Sequence, residues 1–307
     1  MTYKNILITG GTGTFGNAFT ERMLTDNLAE RVTIFSRDEK KQLDMRVKFN
    51  DARLRFILGD VRDVAKLERA FCGTECVVHA ASLKMVQRSG VDADEFFKTI
   101  CLGSKNVIDA AHKAGVKKVV ALSTDKACAP TTPYGIFKAV SEALFVHGNT
   151  WGDCRFCCTR YGNISGSRGS VLELWAGQAA QGKPLTITDD EMTRFWMPIH
   201  QAVDLVLLAL ERMGGGEIFI PKHVTKSRVI QFASMHFPGS EIEVTGEKRS
   251  YEKTHEWLVA PEEADRCHDC GDVYVLTPMH IRWSPGPYGL DFPLVERGFC
   301  HGSRGRQ

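Results

Sequence analysis

A glycine-rich turn directly after an apolar segment is the feature that most constrains the fold of this chain. Residues 4–9 are apolar without strict alternation, which is typical of a strand buried on both faces of a parallel sheet. The glycines that follow fit both G-x-x-G-x-x-G and G-x-G-x-x-G. Such a turn lets the backbone approach a pyrophosphate, whose charge the N–H groups of the next helix attract. We therefore predict a dinucleotide site with contacts from Gly10, Thr12, Gly13, Thr14, Phe15 and Gly16.

Similar apolar segments recur along the first half of the chain, separated by segments with helical periodicity such as residues 96–114. This alternation predicts an α/β fold with a Rossmann-type doubly wound parallel sheet and a smaller C-terminal region that binds substrate. We assign residues 1–165 to the dinucleotide-binding domain, which about 198–222 rejoin, and residues 166–197 and 223–307 to the substrate-binding region. The predicted strands after the first lie at 31–35, 54–58, 76–80, 116–123 and 155–160.

Composition narrows the classes of partner. The 307 residues carry 39 basic and 37 acidic side chains, a balance that argues against a nucleic-acid surface or a polybasic membrane patch. No apolar run approaches the roughly 20 residues that span a bilayer, so we expect a soluble, cytoplasmic protein without a membrane partner. The ten cysteines lack the spacing of a disulfide framework, and Cys267 and Cys270 have no second pair, so we expect reduced thiols and no metal.

The end of the second predicted strand indicates which dinucleotide is bound. NAD-selective sites usually place an acidic residue there for the ribose hydroxyls, whereas this chain has Ser36 and Arg37, followed by Lys40 and Lys41. A hydroxyl and cations suit a 2′-phosphate, so NADP is favoured over NAD. Asp38 keeps NAD as the alternative. The ends of the next two strands complete the expected cofactor contacts, with Asp60 and Val61 near the adenine and Ala80 and Ala81 beside the nicotinamide half.

A second group of side chains suits proton transfer. Tyr134 and Lys138 are four residues apart at the start of a predicted helix, so they share one face, where the ammonium is expected to lower the phenol pKa. One loop earlier, Ser123 and Thr124 offer hydroxyls to the same set. With this arrangement the chain resembles the extended short-chain dehydrogenase/reductase superfamily over nearly its whole length.

Asp125 and Lys126 place an acid beside a base at the end of the fifth predicted strand. Retaining sugar-nucleotide 4,6-dehydratases commonly have an Asp-Glu pair here, which makes the lysine distinctive. Further motifs lie at 80–84 (AASLK), 160–163 (RYGN), 166–170 (GSRGS), 192–196 (MTRFW) and 252–256 (EKTHE). Together these residues resemble the inverting UDP-N-acetylglucosamine 4,6-dehydratase family, of the polysaccharide-biosynthesis type.

The resemblance implies a mechanism and a substrate. Tyr134, helped by Thr124 and Lys138, would take the 4-hydroxyl proton while NADP accepts the C4 hydride. Lys126 would then remove the C5 proton and Asp125 would protonate the leaving 6-hydroxyl. The hydride would return to C6, with reprotonation at C5 from the opposite face. Such a lysine must be partly neutral, which requires that desolvation or a neighbouring cation lowers its pKa, and Lys84 and Lys138 are the candidates for that cation. The resemblance also implies that the UDP-N-acetylhexosamine is bound by Lys84, Asn163, Arg168, Arg194, Arg249 and Glu252.

Three positions depart from the family pattern. Ile100 and Ala129 stand where the family usually has asparagine, and Tyr251 stands where it has a flexible proline-glycine turn. Alternatives are therefore a related UDP-sugar 4-epimerase, a retaining or 5,6-dehydratase, and a non-catalytic NADP-sensing protein. An epimerase needs no C5 base, and sensors typically lose the Tyr-Lys pair. Relatives form homo-oligomers through the helices of residues 96–114 and 134–149, which we also expect here.

Overall fold

The strand that precedes the glycine turn lies in the middle of a large, mostly parallel sheet. The computed structural model describes residues 2–247, 251–279 and 292–304. Its strands are β1 (Ile6–Thr9), β2 (Val32–Ser36), β3 (Leu54–Leu58), β4 (Cys76–His79), β5 (Lys118–Leu122), β6 (Arg155–Thr159), β7 (Asn163–Ile164), β8 (Leu185–Ile187), β9 (Thr193–Met197), β10 (Ile218–Pro221), β11 (Thr225–Arg228), β12 (Ile242–Val244), β13 (Trp257–Val259), β14 (Cys267–Asp269), β15 (Val273–Leu276) and β16 (His301–Gly302).

Helices alternate with the strands through the first half, as the periodicity predicts. They are α1 (Thr14–Thr25), α2 (Glu39–Phe49), α3 (Val64–Phe71), α4 (Ala93–Phe97), α5 (Gly103–Ala114), α6 (Pro133–His147), α7 (Val171–Ala180), α8 (Ile199–Arg212) and α9 (Val229–His236). Residues Lys98–Leu102 join α4 to α5 with π-helical geometry. No helix in the part of the chain that the structure describes is long and apolar enough to cross a membrane.

The nine-stranded sheet has the order β14-β15-β10-β6-β5-β4-β1-β2-β3. All its pairings from β3 to β10 are parallel, and β15 and β14 continue it antiparallel. The strand order reverses between β1 and β4, which opens a crevice at the carboxyl ends of the strands. The predicted Rossmann-type fold is confirmed, because β1, β4 and β5 all end at this crevice.

Helices cover both faces of the sheet, which explains why its central strands are apolar on both sides. One core cluster joins the sheet to α1 and α8 through side chains such as Phe19 and Val206. The other joins it to α3, α5 and α6 through Phe71, Val107 and Phe145. The carboxyl edge of the sheet is therefore held rigidly, as a site at that edge requires.

The second half of the chain both extends this sheet and builds a smaller unit. Strand β10 pairs with β6, and β14 and β15, within residues 223–307, add to the same sheet. Three small sheets stand apart from it, ordered β11-β9-β7, β12-β8 and β13-β16. The first two of these sheets share a core that holds Trp175, Trp196 and Phe232, and the last two rings stack with centroids 3.7 Å apart. This small core positions β9 and α7 opposite the crevice. Strand β13 instead packs into a core cluster of the large sheet through Leu258 and Val259.

Ala129, where the family usually has asparagine, adopts a backbone conformation that is unfavourable for alanine. Its φ is 43°, in the left-handed region, and it lies exposed in the loop before α6. Asn27 and Asn50, the other described non-glycine residues with positive φ, are both asparagines. Asparagine tolerates this region better than alanine, which meets a steric cost there of about 1–2 kcal/mol.

We expect Ala129→Asn to raise the free energy of unfolding by about 0.5–1 kcal/mol, because it relieves part of this cost. Chemical denaturation monitored by circular dichroism measures the change. Ala52→Asn is the matched control, since Ala52 is exposed in a turn with ordinary φ, and it should give no gain. Equal effects of the two substitutions would contradict the strain at Ala129.

Candidate active site

One cavity joins the crevice of the sheet to the smaller unit. Its volume is about 1490 Å³, and it runs from the glycine turn past the end of β5 to α7 and β9. A cavity of this size exceeds what a single small ligand needs. Both halves of the chain contribute to its wall, so it can hold two ligands side by side, one on the sheet and one on the smaller unit.

The glycine turn lies at one end of the cavity and needs its glycines. Gly10 has a φ of +66°, and a Cβ there would lie 2.8 Å from the Cα of Ala81. A Cβ at Gly16 would overlap the carbonyl oxygen of Gly11. Gly13 is the N-cap of α1, which begins at Thr14 and directs the positive end of its dipole toward this turn. All six residues predicted from the motif line the cavity: Gly10, Thr12, Gly13, Thr14, Phe15 and Gly16.

A buried pair beneath the turn escaped the sequence analysis. Thr9 Oγ1 lies 2.8 Å from Nδ1 of His79 and accepts a hydrogen bond from the N–H of Ala81. Burial lowers the pKa of His79 to about 3, so the imidazole is neutral. The pair fixes the chain at Ala80 and Ala81, both of which line the cavity. Its only sequence signal is a polar residue at the end of each of two apolar strands.

The end of β2 presents cations and one carboxylate to the cavity. Ser36, Arg37, Asp38 and Lys41 line it. Asp38 caps α2 by accepting from the N–H of Lys41, and its carboxylate pairs with the Lys41 ammonium at 2.6 Å. Hydrogen bonds from the side chain and the backbone of Lys41 lower the pKa of Asp38. The carboxylate is therefore already engaged by its own helix.

Of the remaining predicted cofactor residues, some line the cavity and others do not. Arg37 is 3.4 Å from Oδ2 of Asp60, which itself is outside the lining, whereas Val61 is part of it. Lys40 points elsewhere, because its ammonium is 2.6 Å from the Asp44 carboxylate one helical turn along α2. Of the cations after β2, Arg37 and Lys41 are thus those at the cavity.

Tyr134 and Lys138 are positioned by the start of α6. Thr132 caps this helix by accepting from the N–H of Gly135, and Pro133 occupies its first turn. Burial raises the pKa of Tyr134 to about 12, while the Lys126 charge and a hydrogen bond with Thr124 act in the opposite direction. The cation beside the phenol is therefore Lys126. The expectation that Lys138 also lowers the pKa of the phenol stays a prediction.

Lys138 instead lies against the end of β5. It is buried, and its ammonium donates to the carbonyl of Leu122 at 2.6 Å. Burial also lowers the pKa of this lysine. Lys138 lines the cavity together with Ser123 and Thr124, so its position remains suited to a ligand above the sheet.

Lys126 lines the cavity and lies between acidic and polar groups. Its ammonium is 3.0 Å from Oδ1 of Asp125, 3.2 Å from Oδ1 of Asn163 and 3.8 Å from Oε1 of Glu256. Burial alone lowers the pKa of Lys126, but the Asp125 and Glu256 carboxylates outweigh it, so the net pKa is raised. The expected lowering by Lys84 or Lys138 is thus wrong. The cation that acts on Lys126 is Arg194.

Asp125 is the least solvent-exposed of the groups around Lys126. It is completely buried, and its Oδ1 accepts from both the Thr124 hydroxyl at 2.9 Å and the Lys126 ammonium. A carboxylate removed from water loses most of its hydration, so it depends on these donors. Asp125 and Lys126 are therefore one ion pair whose charges depend on each other.

Glu256 and Lys253 complete the site and were missed as functional residues. Glu256 is buried, lines the cavity, and lies 3.2 Å from the ammonium of Lys253. Lys253 also donates to the carbonyl of Cys128 at 2.7 Å, which ties this segment to the loop after Lys126. Both residues belong to the 252–256 motif, but no sequence spacing indicates that Glu256 meets Lys126.

The predicted substrate residues divide into two places. Asn163, Arg194 and Glu252 lie by Lys126, where Arg194 donates to the carbonyls of Thr193 and Thr254 and is 3.7 Å from Glu252. Lys84 and Arg168 lie toward the glycine turn: Lys84 donates to the Arg168 carbonyl, and Arg168 donates to the carbonyl of Thr12. Arg249 lies outside the described residues.

Two departures from the family pattern affect the surroundings of the phenol and the rim of the cavity. Ile100 is buried in an apolar cluster with Phe96 and Tyr134, where the two rings meet edge to face at 6.4 Å. Tyr251 lines the cavity, and its carbonyl accepts from the Thr131 hydroxyl at 2.9 Å. Ile100 makes the environment of Tyr134 more apolar than an asparagine would, and Tyr251 adds an aromatic ring at the rim of the cavity.

Comparisons with known proteins agree with this geometry. A family model described as "Polysaccharide biosynthesis protein" matches residues 6–278. The chain is 42% identical over 310 residues to the inverting UDP-N-acetylglucosamine 4,6-dehydratase of Campylobacter jejuni subsp. jejuni serotype O:23/36 (strain 81-176), covering 98% of this chain and 92% of that protein. It is also 42% identical to the UDP-glucose 4-epimerase of Rickettsia prowazekii (strain Madrid E), with 91% and 84% covered.

A solved structure shares the architecture. The dTDP-glucose 4,6-dehydratase DesIV from Streptomyces venezuelae, with NAD and TYD bound, superposes with a TM-score of 0.71 at 25% sequence identity. The superposition covers 75% of this chain and 79% of that one. The superposition therefore supports the Rossmann-type fold with a mostly parallel sheet.

The fold and the site define the class: a Rossmann-type protein in which a glycine turn, Lys126 and Tyr134 line one cavity, with Asp125 buried outside its lining and paired to Lys126. Within that class, the chain belongs to the polysaccharide biosynthesis protein family that includes the inverting UDP-N-acetylglucosamine 4,6-dehydratases. The resemblance inferred from the motifs is confirmed.

Proposed function

We propose that this protein is an NADP-dependent dehydratase that converts UDP-N-acetylglucosamine to a UDP-4-keto-6-deoxy-hexosamine with inversion at C5. The observation that carries the proposal is the position of the Lys126 ammonium. It lies against Asp125, beside the Tyr134 phenol and in the same cavity as the glycine turn. A proton acceptor for a hydroxyl, Tyr134, and the ammonium of an acid–base pair therefore line one cavity, while Asp125 lies buried against that ammonium.

The glycine turn and the end of β2 would hold the cofactor. The turn fits a pyrophosphate, because its glycines allow close approach of the backbone and α1 adds a favourable dipole. Arg37 and Lys41 reach the cavity where a 2′-phosphate would lie, while Asp38 is already bonded to Lys41. This supports NADP. The NAD held by DesIV keeps NAD as the alternative.

A bound dinucleotide would supply a hydride acceptor for C4 and, later in the cycle, the hydride for C6. The protein's part in the oxidation is to take the 4-hydroxyl proton on Tyr134. Thr124 and the Lys126 charge stabilise the phenolate against the burial that raises its pKa. Lys138, held on the Leu122 carbonyl, would orient the ribose beside this group.

Lys126 has a raised pKa, but its contact with Asp125 allows it to act as a base after a proton transfer within the pair. Transfer of one proton across the 3.0 Å from Lys126 to Asp125 gives a neutral amine and a carboxylic acid, and the removal of both charges lowers the cost of burial. The amine then takes the C5 proton while the acid donates its proton to the departing 6-hydroxyl. Water leaves, and the ammonium–carboxylate pair is restored. When the hydride is added at C6, C5 takes a solvent-derived proton on the opposite face, which inverts its configuration.

The smaller unit and its rim would bind the sugar nucleotide. Asn163, Arg194 and Glu252 lie next to Lys126, so the sugar ring and its diphosphate would extend from there along β9 and α7. Arg249 is proposed for the diphosphate from its motif alone. In this division, residues 166–197 and part of residues 223–307 bind substrate, and the sheet binds the cofactor.

A homo-oligomer is proposed from the face formed by α4, α5 and α6. Large apolar side chains there are exposed, although such groups are usually covered in stable proteins. A second copy of the chain would bury them in the manner expected of a symmetric interface. The residues concerned are Phe97, Leu102, Ile136 and Val140, which are between 40% and 48% exposed.

The second candidate function is 4-epimerisation, favoured by the Rickettsia relative. An epimerase would use the oxidation by Tyr134 but needs no base at C5. The Asp125–Lys126 pair would then have no role in the reaction, although Lys126 lines the cavity and Asp125 is buried against it. A retaining or 5,6-dehydratase, or a cofactor sensor without chemistry, is less favoured, because the lysine and the Tyr134–Lys138 pair are all in place.

The function is tested by incubating the purified protein with UDP-N-acetylglucosamine and following the products by NMR. We expect a 4-keto-6-deoxy sugar whose coupling constants show inversion at C5. Recovery of the 4-epimer would establish the epimerase instead, and the retained C5 configuration would establish a retaining dehydratase. Unchanged substrate across several UDP-hexosamines would contradict all three catalytic functions.

Cofactor preference has a separate test. We expect Arg37→Ala to weaken NADP binding to the apoprotein by about tenfold, because a charge-assisted hydrogen bond to phosphate is lost, and to leave NAD unchanged. Isothermal titration calorimetry measures both. Arg62→Ala is the control: Arg62 shares the Asp60 carboxylate with Arg37 but does not line the cavity. Equal losses of NAD and NADP affinity in Arg37→Ala would remove the proposed selectivity.

A further inference from the structure

The loop between β7 and α7, residues 165–170, crosses from the smaller unit to the glycine turn. Arg168 in this loop donates from Nη2 to the carbonyl of Thr12 at 2.9 Å, and its backbone N–H donates to the Thr14 hydroxyl at 3.4 Å. The crossing depends on two glycines in the left-handed region, Gly166 with a φ of 71° and Gly169 with a φ of 70°. The loop thus joins the two walls of the cavity at the turn.

The charges around Arg168 belong to the cofactor end of the cavity. Lys84 donates to the Arg168 carbonyl, and its pKa is lowered first by burial and also by the Arg168 charge. The same guanidinium contributes to the lowered pKa of Asp38, at the end of β2. Arg168 therefore contacts Lys84 and the glycine turn, and its charge also acts on Asp38.

Arg194 provides the contrast. Its guanidinium contacts the carbonyls of Thr193 and Thr254 and lies near Glu252, so it belongs to the group around Lys126. Both arginines come from the smaller unit and both line the cavity. Their contacts point to different ligands: Arg194 to the sugar nucleotide and Arg168 to the dinucleotide.

We infer that Arg168 binds the pyrophosphate of the dinucleotide and that residues 165–170 close over the cofactor from the substrate side. A carbonyl at the turn would repel a phosphate, and the bond from Arg168 to Thr12 offsets that dipole. This bond uses one of the five N–H donors of a guanidinium, whose planar fork suits phosphate oxygens. The inference rests on the proposed function only for the presence of a dinucleotide.

This arrangement gives the cofactor a partner on each side. The glycine turn and α1 would hold the pyrophosphate from the sheet, and Arg168 would cover it from the smaller unit. In a reaction that returns its hydride in each cycle, the cofactor has no need to leave between turnovers. A clamp from the substrate side would slow its release while leaving the sugar nucleotide free to exchange past Arg194.

The test measures cofactor binding without sugar nucleotide present. We expect Arg168→Gln to weaken binding of NADP or NAD to the apoprotein by about tenfold and to raise the fraction of cofactor lost on gel filtration, because a charge-assisted contact to phosphate is removed. UDP affinity, measured without cofactor, should change less than about twofold. Arg168→Lys should give an intermediate loss, because the charge remains but the fork is absent.

Arg31→Gln is the control, since Arg31 is exposed at the opposite, amino-terminal edge of the sheet. Circular dichroism and the melting temperature establish that each variant folds. A loss of cofactor affinity below about threefold in Arg168→Gln overturns the inference, and a loss confined to UDP assigns Arg168 to the substrate. Failure of the proposed dehydration would show in the wild-type product assay and leaves these binding measurements interpretable.

Discussion

The site depends on one buried ion pair, Asp125 with Lys126. Asp125 is withdrawn completely from solvent, so its charge persists only because the Lys126 ammonium and the Thr124 hydroxyl bond to it. The same ammonium meets Asn163 from the smaller unit and Glu256 from the segment before β13. Three distant parts of the chain thus converge on one nitrogen, and the shape of the cavity follows from that convergence.

The surrounding structure fixes the position of this pair. Strand β5 ends beside it, and the N–H of Asp125 donates to the carbonyl of Tyr161, which follows β6. Behind it, the buried Arg160 guanidinium bonds to Glu142 of α6 and to Glu263. This second ionic cluster ties the helix that carries Tyr134 to β6. The acid–base pair and the phenol are therefore held by one rigid frame, as a proton-transfer site requires.

The sequence predicted features that depend on neighbouring residues. The glycine turn, the alternation of strands and helices, and the placing of Tyr134 and Lys138 on one helical face are local patterns, and the structure contains each of them. The motifs also identified the family. The division of the chain into a cofactor part and a substrate part remains a proposal.

Charge effects between distant residues could not be predicted in this way. The Asp125 and Glu256 carboxylates raise the pKa of Lys126 against the effect of burial, and Glu256 comes from the distant segment before β13. Lys126, from the strand end, is a cation whose charge lowers the pKa of Tyr134 against burial, although the sequence pointed only to Lys138 on the same helix. Arg168 was grouped with the substrate residues because of its motif, whereas its loop reaches the glycine turn. Each of these interactions depends on distances between residues that are far apart in the sequence, and the spacing of motifs along the chain does not predict such distances.

The central claim is that Lys126 removes the C5 proton, and isotope exchange tests it most directly. In deuterated water, the wild-type enzyme with UDP-N-acetylglucosamine should give a product that carries deuterium at C5. Lys126→Ala should still bind the cofactor but incorporate none, while Lys113→Ala, an exposed lysine on α5, should behave as wild type. Deuterium at C5 in the Lys126→Ala reaction at the wild-type rate would contradict the account.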